Sequence, residues 1–520
     1  MIFAPLPGQD IKASGPLSNG NFLETHIWIK AALVFLAASA LYFVSRSPGL
    51  DEIDSINFAM GIGHFNLWKH QPHPPGYPLL IFLGRIGVNL FGASPEFSLH
   101  CISALGGGLF VAVWLLIIRV QFNERLAWWV TACLAITPVI WMTSTRVLSD
   151  SLAAALISVE ILAAICFLRS GRLASLLTAA LFGAAAAGTR PQLVLVVFVI
   201  LGTALKQRRA PLKTSILAWS AVIAGSLLWL LPMWYTQWQL KPEMDAGAVY
   251  PKLVYTFWQG RLHKPSMYLF AGDWSPQYLG TRFAFHILGW FGLGFGFIQS
   301  WTAFFIGTTI AAIGLAAYLI RPREIDDRQF WKFHIPWALV HIAIIFISLP
   351  ATQRYYVVIY PLLLVALLRG FLRMPSPWNW SVLALPAILL FIAIPVAIEN
   401  HRDDTPPVRL VNYLEKLYPS PVRGRVALLL STRTKRHLEW YSPDFVTINP
   451  IPPADELPNV TKDAVAVYTD EITAPLPPGW YRVPIVAFAR SPIVYWKAHF
   501  VELYLIVRQP NRSTEFSRNE

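Results

Sequence analysis

The sequence predicts a mainly α-helical protein, a polytopic bundle of transmembrane helices followed by a C-terminal soluble α/β domain. Three observations carry that expectation. The chain is 55% hydrophobic and only 14% charged, with 21 Trp in 520 residues and a mean hydropathy of +0.48, and apolar runs such as residues 31–44 are what a bilayer-spanning helix needs. The net charge of +13 sits in short loops between those runs, which is the positive-inside pattern of a membrane protein and not the basic stripe of a nucleic-acid binder. At Glu399-Asn400-His401-Arg402-Asp403-Asp404 the composition turns polar and remains so. Cys101, Cys133 and Cys166 fall inside apolar runs without ligand spacing, which argues against a disulfide framework or a zinc knuckle.

Taken in order, residues 1–26 have the Gly, Pro, Ser and Asn content of a disordered cytoplasmic leader, and no signal-peptide cleavage pattern follows. A membrane block over residues 27–398 comes next. Its first span is 27–44, followed by an outer loop at 45–96. Within that loop, 77–91 is apolar, short and interrupted by Gly84-Arg85, so it is expected to lie along the interface. Basic loops then fix each inner end. Residues 97–118 run inward to Arg119, 126–142 outward, 150–167 inward to Arg169 and Arg172, and 173–187 outward. Residues 193–205 run inward to Lys206-Gln207-Arg208-Arg209, and 215–234 outward.

A second outer loop, 235–286, is crowded with aromatic residues, including Trp238, Trp258 and Trp274, that read as an interfacial belt; Lys241, Arg261 and Lys264 in it are available to a phosphate. Residues 283–320 are too long for one span, yet two crossings would break the alternation of basic loops. One crossing, ending at Arg321-Pro322-Arg323 and preceded by an interfacial segment, satisfies both. Residues 335–349, 356–368 and 381–397 complete about eleven spans. Residues 399–520 then form an extracytoplasmic α/β domain, with extended runs at 426–430, 464–468 and 500–507 between Pro-rich turns. No internal repeat is evident, which weakens a transporter built on inverted repeats.

The residues that invite chemistry collect at the outer ends of the spans. Residues 47–85 carry Asp51, Glu52 and Asp54, then His64, His70 and His73, then the rigid run His73-Pro74-Pro75-Gly76-Tyr77-Pro78. Further groups are Arg146 with Asp150, four residues apart and so on one face if helical, Arg190 with Pro191-Gln192, and Arg354-Tyr355-Tyr356. Charges this close to hydrocarbon usually face one another or a polar cavity. Carboxylates beside arginines at a membrane surface suit group transfer from an anionic lipid carrier. A carboxylate takes the proton of an attacking hydroxyl, and guanidinium groups hold the departing phosphate. No glycine-rich nucleotide loop is present, which fits a lipid-linked donor better than a nucleotide sugar.

Asp54-Ser55-Ile56-Asn57-Phe58-Ala59 followed by His73-Pro74-Pro75-Gly76-Tyr77-Pro78-Leu79 resembles the first outer loop of GT-C glycosyltransferases. The nearest group is the bacterial family-39-like members, related to protein O-mannosyltransferases and the lipid A aminoarabinose transferase. The resemblance extends to Arg146 through Asp150, Gly188 through Gln192, and Arg354-Tyr355-Tyr356 with Pro361, and it barely touches the residues after about 400. It implies a GT-C fold, a polyprenyl-phosphate sugar donor, and a loop aspartate as catalytic base on the extracytoplasmic face. The acceptor is a glycan, lipid or protein, and the compact loops without other targeting signals suggest a bacterial inner membrane with the site on its periplasmic or extracellular face. Two registers compete for that base. Asp51-Glu52 supplies the family's acidic dipeptide but has Ser55 at the aromatic position, whereas Asp54 lacks the Glu but has Phe58 four residues on; Asp54 is favoured, with Asp51 the second choice. His73, Tyr77, Arg146, Asp150, Arg190, Arg354 and Tyr355 are the expected substrate-binding residues, with Arg354 on the lipid phosphate.

Each assignment has a plainer competitor. The three acids suit a helix N-terminus, His73 and its prolines suit a rigid turn, and Arg146 with Asp150 suits an internal ion pair. The histidines and acids leave a divalent metal open, although their spacing matches no standard ligand pattern. A transporter or flippase of lipid-linked saccharides is the alternative function. Thr432-Arg433-Thr434-Lys435-Arg436-His437 reads either as a strand-to-helix turn that holds an anion or as solvated surface.

Overall fold

The computed structural model describes residues 25–262, 275–349, 352–491 and 500–509; the expected leader lies outside them. The membrane block begins with α1 (Thr25–Val44), the short α2 (Ile53–Gly63) and α3 (Pro78–Phe91), then α4 (Pro95–Gln121), α5 (Glu124–Ile136), α6 (Pro138–Thr145), α7 (Asp150–Ser170) and α8 (Leu173–Thr189). It continues with α9 (Val194–Arg208), α10 (Leu212–Gln239), α11 (Val249–Leu262), α12 (Pro276–Ile287), α13 (Trp301–Ile320), α14 (Ile325–Ile347), α15 (Tyr360–Leu372) and α16 (Ala384–Arg402). Local chemistry sets many of the boundaries. Ser94 caps α4 by accepting from Phe97 N–H ahead of Pro95 at its first position, and Asn123 caps α5 by accepting from Leu126 N–H. Pro138, which has no N–H to give, breaks α5 from α6 with a 57° bend.

Each of the eleven expected crossings coincides with a helix or with the bent α5–α6 pair. Among the described residues eight helices are long and apolar enough to span a bilayer, or nine spans with the bent pair, while α8 and α15 are apolar but shorter. The chain is a multi-pass membrane protein. Small residues let its helices approach: a Cβ on Gly106 of α4 would stand 2.8 Å from the backbone nitrogen of Leu152 in α7, so α4 and α7 pack backbone to backbone. The apolar, interrupted run 77–91 forms the amphipathic α3, which buries Leu80 and Ile81 and exposes Phe82, Leu90 and Phe91. The loop expected over 235–286 is mostly helical, since α10 runs to Gln239 and α11 and α12 fill much of the remainder.

After α16 the chain forms α17 (Pro406–Leu417), α18 (Ser420–Arg423), β1 (Val426–Leu429), α19 (Thr432–Tyr441), β2 (Val446–Ile448), α20 (Leu457–Val460), β3 (Ala466–Thr469), β4 (Trp480–Ala489) and β5 (Phe500–Arg508). The sheet order is β2-β1-β3-β5-β4, with β1 parallel to both neighbours and β5 antiparallel to β3 and β4. Strand alternation divides β1 between two cores. Val426 and Leu428 pack with Leu410, Leu414 and Leu438, and Ala427 and Leu429 pack with Leu457 and Ile506.

Helix α19 docks this domain onto the membrane block. Leu50 N–H donates to the Tyr441 hydroxyl at 2.8 Å, Trp440 Nε1 donates to Glu96 Oε1 at 2.7 Å, and Arg436 Nη2 donates to the Lys69 carbonyl at 2.6 Å. The basic turn at 432–437 is not open to an external anion, because Asp470 already occupies it. Ser431 N–H and Oγ each donate to the Asp470 carboxylate at 2.6 Å, joined by the Thr434 hydroxyl.

Candidate active site

The segment entering α2 brings three acids into a nest of arginines. Glu52 is the extended residue before α2 and makes no side-chain cap, and Asp54 stands in the first turn. Arg354, on the helical turn Gln353–Tyr356 between α14 and α15, reaches all of them but Asp51. Its Nη2 is 2.9 Å from Asp54 Oδ2, its Nη1 is 3.3 Å from Glu52 Oε2 and its Nε is 4.0 Å from Asp150 Oδ2. Burial works against the Arg354 charge, but Glu52, Asp150 and Asp54 outweigh it and hold the guanidinium well above its ordinary value.

Arg190 closes α8, pairs with Asp150 at the start of α7, and stacks its guanidinium 4.6 Å from the centre of the Tyr355 ring. With the Gln192 amide turned so that its oxygen faces Arg190, that oxygen accepts from Nε and Nη2 at 2.7 and 2.8 Å. On the other side of Asp54, His73 Nδ1 lies 3.5 Å from Oδ1, and His73 Nε2 meets the Tyr77 hydroxyl at 2.9 Å. Phe58 presents an edge to Tyr77 with ring centres 4.9 Å apart. The rigid prolyl run therefore places one imidazole against one carboxylate.

These groups line a cavity of about 610 Å³. Asp54, His73, Asp150, Arg190, Gln192 and Arg354 form its polar wall, and Ile344, Ile345, Ile347, Leu349, Val357 and Val358 its apolar one. Tyr77 and Tyr355 line it as well. Such a chamber accepts a charged headgroup at one side and a hydrocarbon chain at the other.

Asp51, Glu52 and Arg146 are brought close but are not on the cavity wall. The Asp51 side chain is only 3% exposed, against 24% for Asp54, and is ion-paired to Arg146 Nε at 2.9 Å and Arg490 Nη1 at 3.5 Å. Arg146 Nε also donates to Asn400 Oδ1 at 2.9 Å, and burial pulls this guanidinium down to about 10. Arg146 and Asp150, which would share a face if helical, do not stand on one helix. Arg146 has an extended backbone after α6, and α7 begins only at Asp150, so the two are not on one helical face. Each takes another partner, Asp51 for Arg146 and Arg190 for Asp150. Counted together, the ion-paired carboxylates Asp51, Glu52, Asp54 and Asp150 balance Arg146, Arg190, Arg354 and Arg490.

Sequence reasoning missed Arg490 and the role of Asn400. Arg490 is one basic residue in a tail with many, and only the register of β4 brings it here. Asn400 was read as part of a composition change, though a lone amide at the end of an apolar helix was its signal. Lys241 pairs with Glu243 at 3.4 Å, half-exposed and off the cavity wall, and Trp238 stacks on Trp234. The side chains of Trp258, Arg261, Lys264 and Trp274 lie outside the described residues. Among the described residues no three His, Cys, Asp or Glu side chains are grouped to hold a metal ion.

Comparison with known proteins bears on the fold. The family model for dolichyl-phosphate-mannose-protein mannosyltransferase matches residues 72–236. ArnT from Cupriavidus metallidurans bound to undecaprenyl phosphate superposes with a TM-score of 0.53 at 13% identity, over 93% of this chain and 98% of that one. The Archaeoglobus fulgidus oligosaccharyltransferase tethered with an acceptor peptide gives 0.51 at 13% identity, over 86% of this chain and 69% of that one. No curated protein sequence matches the chain. Both structures are GT-C glycosyltransferases, and the chain has the GT-C fold.

Proposed function

We propose that this GT-C protein is an integral membrane glycosyltransferase that moves a hexosyl or pentosyl group from a polyprenyl-phosphate donor to an extracytoplasmic glycan, lipid or protein acceptor. The observation that carries this reading is the single cavity in which the Asp54 carboxylate and two guanidinium groups face an apolar wall. The matched structure with undecaprenyl phosphate and the dolichyl-phosphate-mannose family model support a lipid-phosphate donor.

In the proposed reaction an acceptor hydroxyl attacks the anomeric carbon of the donor sugar. The new C–O bond forms as the bond to the phosphate oxygen breaks. Asp54 takes the hydroxyl proton, and the electron pair leaves with the lipid phosphate onto Arg354 and Arg190. His73, hydrogen-bonded to Tyr77, holds the Asp54 carboxylate toward the acceptor. The polyprenyl chain lies along Ile344, Ile345, Leu349 and Val358. If successive spans alternate in direction, Arg190 and Arg354 fall at the ends opposite the basic loops 206–209 and 321–323, which supports an extracytoplasmic site; the proposed location is a bacterial inner membrane.

The test is sugar transfer by the purified chain in detergent, with polyprenyl-phosphate sugars as donors and a membrane extract as acceptor source. Asp54→Asn is expected to lose about 10²- to 10⁴-fold in turnover while still binding polyprenyl phosphate. Asp51→Asn is expected to retain more activity than Asp54→Asn. Wild-type turnover in Asp54→Asn would remove the base from this residue. Passage of lipid-linked saccharide across liposomes without any transfer would favour a flippase instead.

A further inference from the structure

Arg490 belongs to the C-terminal domain, directly after β4, yet its side chain is 3% exposed and ends at the loop that carries the acids. Its Nη2 donates to the carbonyl oxygens of Asn400 at 3.1 Å and Asp403 at 2.9 Å, and its Nη1 stands 3.5 Å from Asp51 Oδ2. Asn400 in turn accepts from Arg146 Nε, the same nitrogen that pairs with Asp51. Four separate parts of the chain therefore meet at Asp51: the turn before α7, the last turn of α16, the end of β4, and the approach to α2.

Neither Asp51 nor Arg490 lines the cavity. Asp51 sits three residues before Asp54, and α2 starts without a side-chain cap of its own, so tertiary contacts must fix where its first turn begins. Arg490 donates with one arm to two carbonyl oxygens and holds the other within ion-pair distance of a carboxylate, a placement that suits a rigid planar fork. We infer that Arg490 is a positioning residue through which the C-terminal domain clamps Asp51 and thereby sets the place of Asp54 against the donor. This rests on the transferase reading for its kinetic consequence, and on the geometry alone for its structural one.

The experiment uses the full chain in nanodiscs and compares wild type, R490Q and R490K in two ways. Hydrogen exchange is read over residues 48–60 and, as a control, over β1 and β3. R490Q is expected to exchange faster by about tenfold in 48–60 with the strands as protected as in wild type, and R490K, which keeps the charge but not the fork, to lie between them. In the transfer assay R490Q is expected to lose about 10- to 100-fold in kcat with the donor KM within about twofold. D51N added to R490Q is expected to cost little more, because the pair acts as one unit.

Wild-type exchange in 48–60 and wild-type kcat in R490Q would overturn the clamp, as would strands that lose protection together with the loop. If R490Q does not accumulate, wild-type behaviour of R490K in both measurements overturns it. Absence of any transfer by wild type would count against the transferase reading alone, since the exchange result still decides the clamp.

Discussion

Arg354 carries more of the site than any other side chain, because one guanidinium serves Glu52, Asp54 and Asp150 together. A lysine has the charge but a single point donor, and cannot satisfy three carboxylates and a phosphate in one plane. Arg354→Lys is therefore expected to weaken binding of polyprenyl phosphate about 10- to 100-fold, as titration of a fluorescent analogue would report; binding as in wild type would take the phosphate away from Arg354. At this scale the sequence was half legible. Asp54, His73, Arg190 and Arg354 could be picked out because charges beside hydrocarbon need a reason. Asp51 and Asp54 could not be told apart from sequence, since the groups packed on Asp51 are Arg146 and Arg490, far along the chain.

Helices α19 and α15 show how elements depend on buried or missing atoms. His437 of α19 is buried between the carbonyls of Leu50 and Arg433, at 3.2 and 2.9 Å. Burial is the larger influence and holds the ring below its ordinary value, against the two carbonyls that favour its charged form. A proton thus binds the undocked or unfolded ring better. The docking contribution is complete above about pH 6.5 and falls as the pH drops below it. Proteolysis of the C-terminal domain is expected to accelerate below that pH, and the His437→Gln variant to lose the pH dependence. In the membrane block, a Cβ on Gly370 of α15 would overlap the Gly314 carbonyl of α13. Gly370→Val is expected to cost about 1–3 kcal/mol, visible as a lower unfolding temperature in detergent. The spans were legible from hydropathy, yet such contacts were not, because a glycine in an apolar run gives no hint of which helix approaches it.

For the whole molecule, the inferred clamp joins the mixed sheet to the membrane bundle, so cutting the chain after Asp404 is expected to leave the bundle in the membrane but to lower transfer at least as much as R490Q does. An α/β domain was legible in the tail from its extended runs and Pro-rich turns, but its order of strands and its contact with Asp51 depend on distant segments, which local propensity does not encode. The even balance of four carboxylates and four guanidinium groups has one more effect. A neutral cluster throws little field of its own beyond about 10 Å in ordinary salt, so the site itself does not draw an anionic headgroup in from afar and takes it when lateral diffusion delivers it to the cavity mouth. Glu52→Gln, which leaves one positive charge uncompensated, is then expected to make headgroup capture faster in dilute buffer and more steeply slowed by added salt than in the wild-type protein.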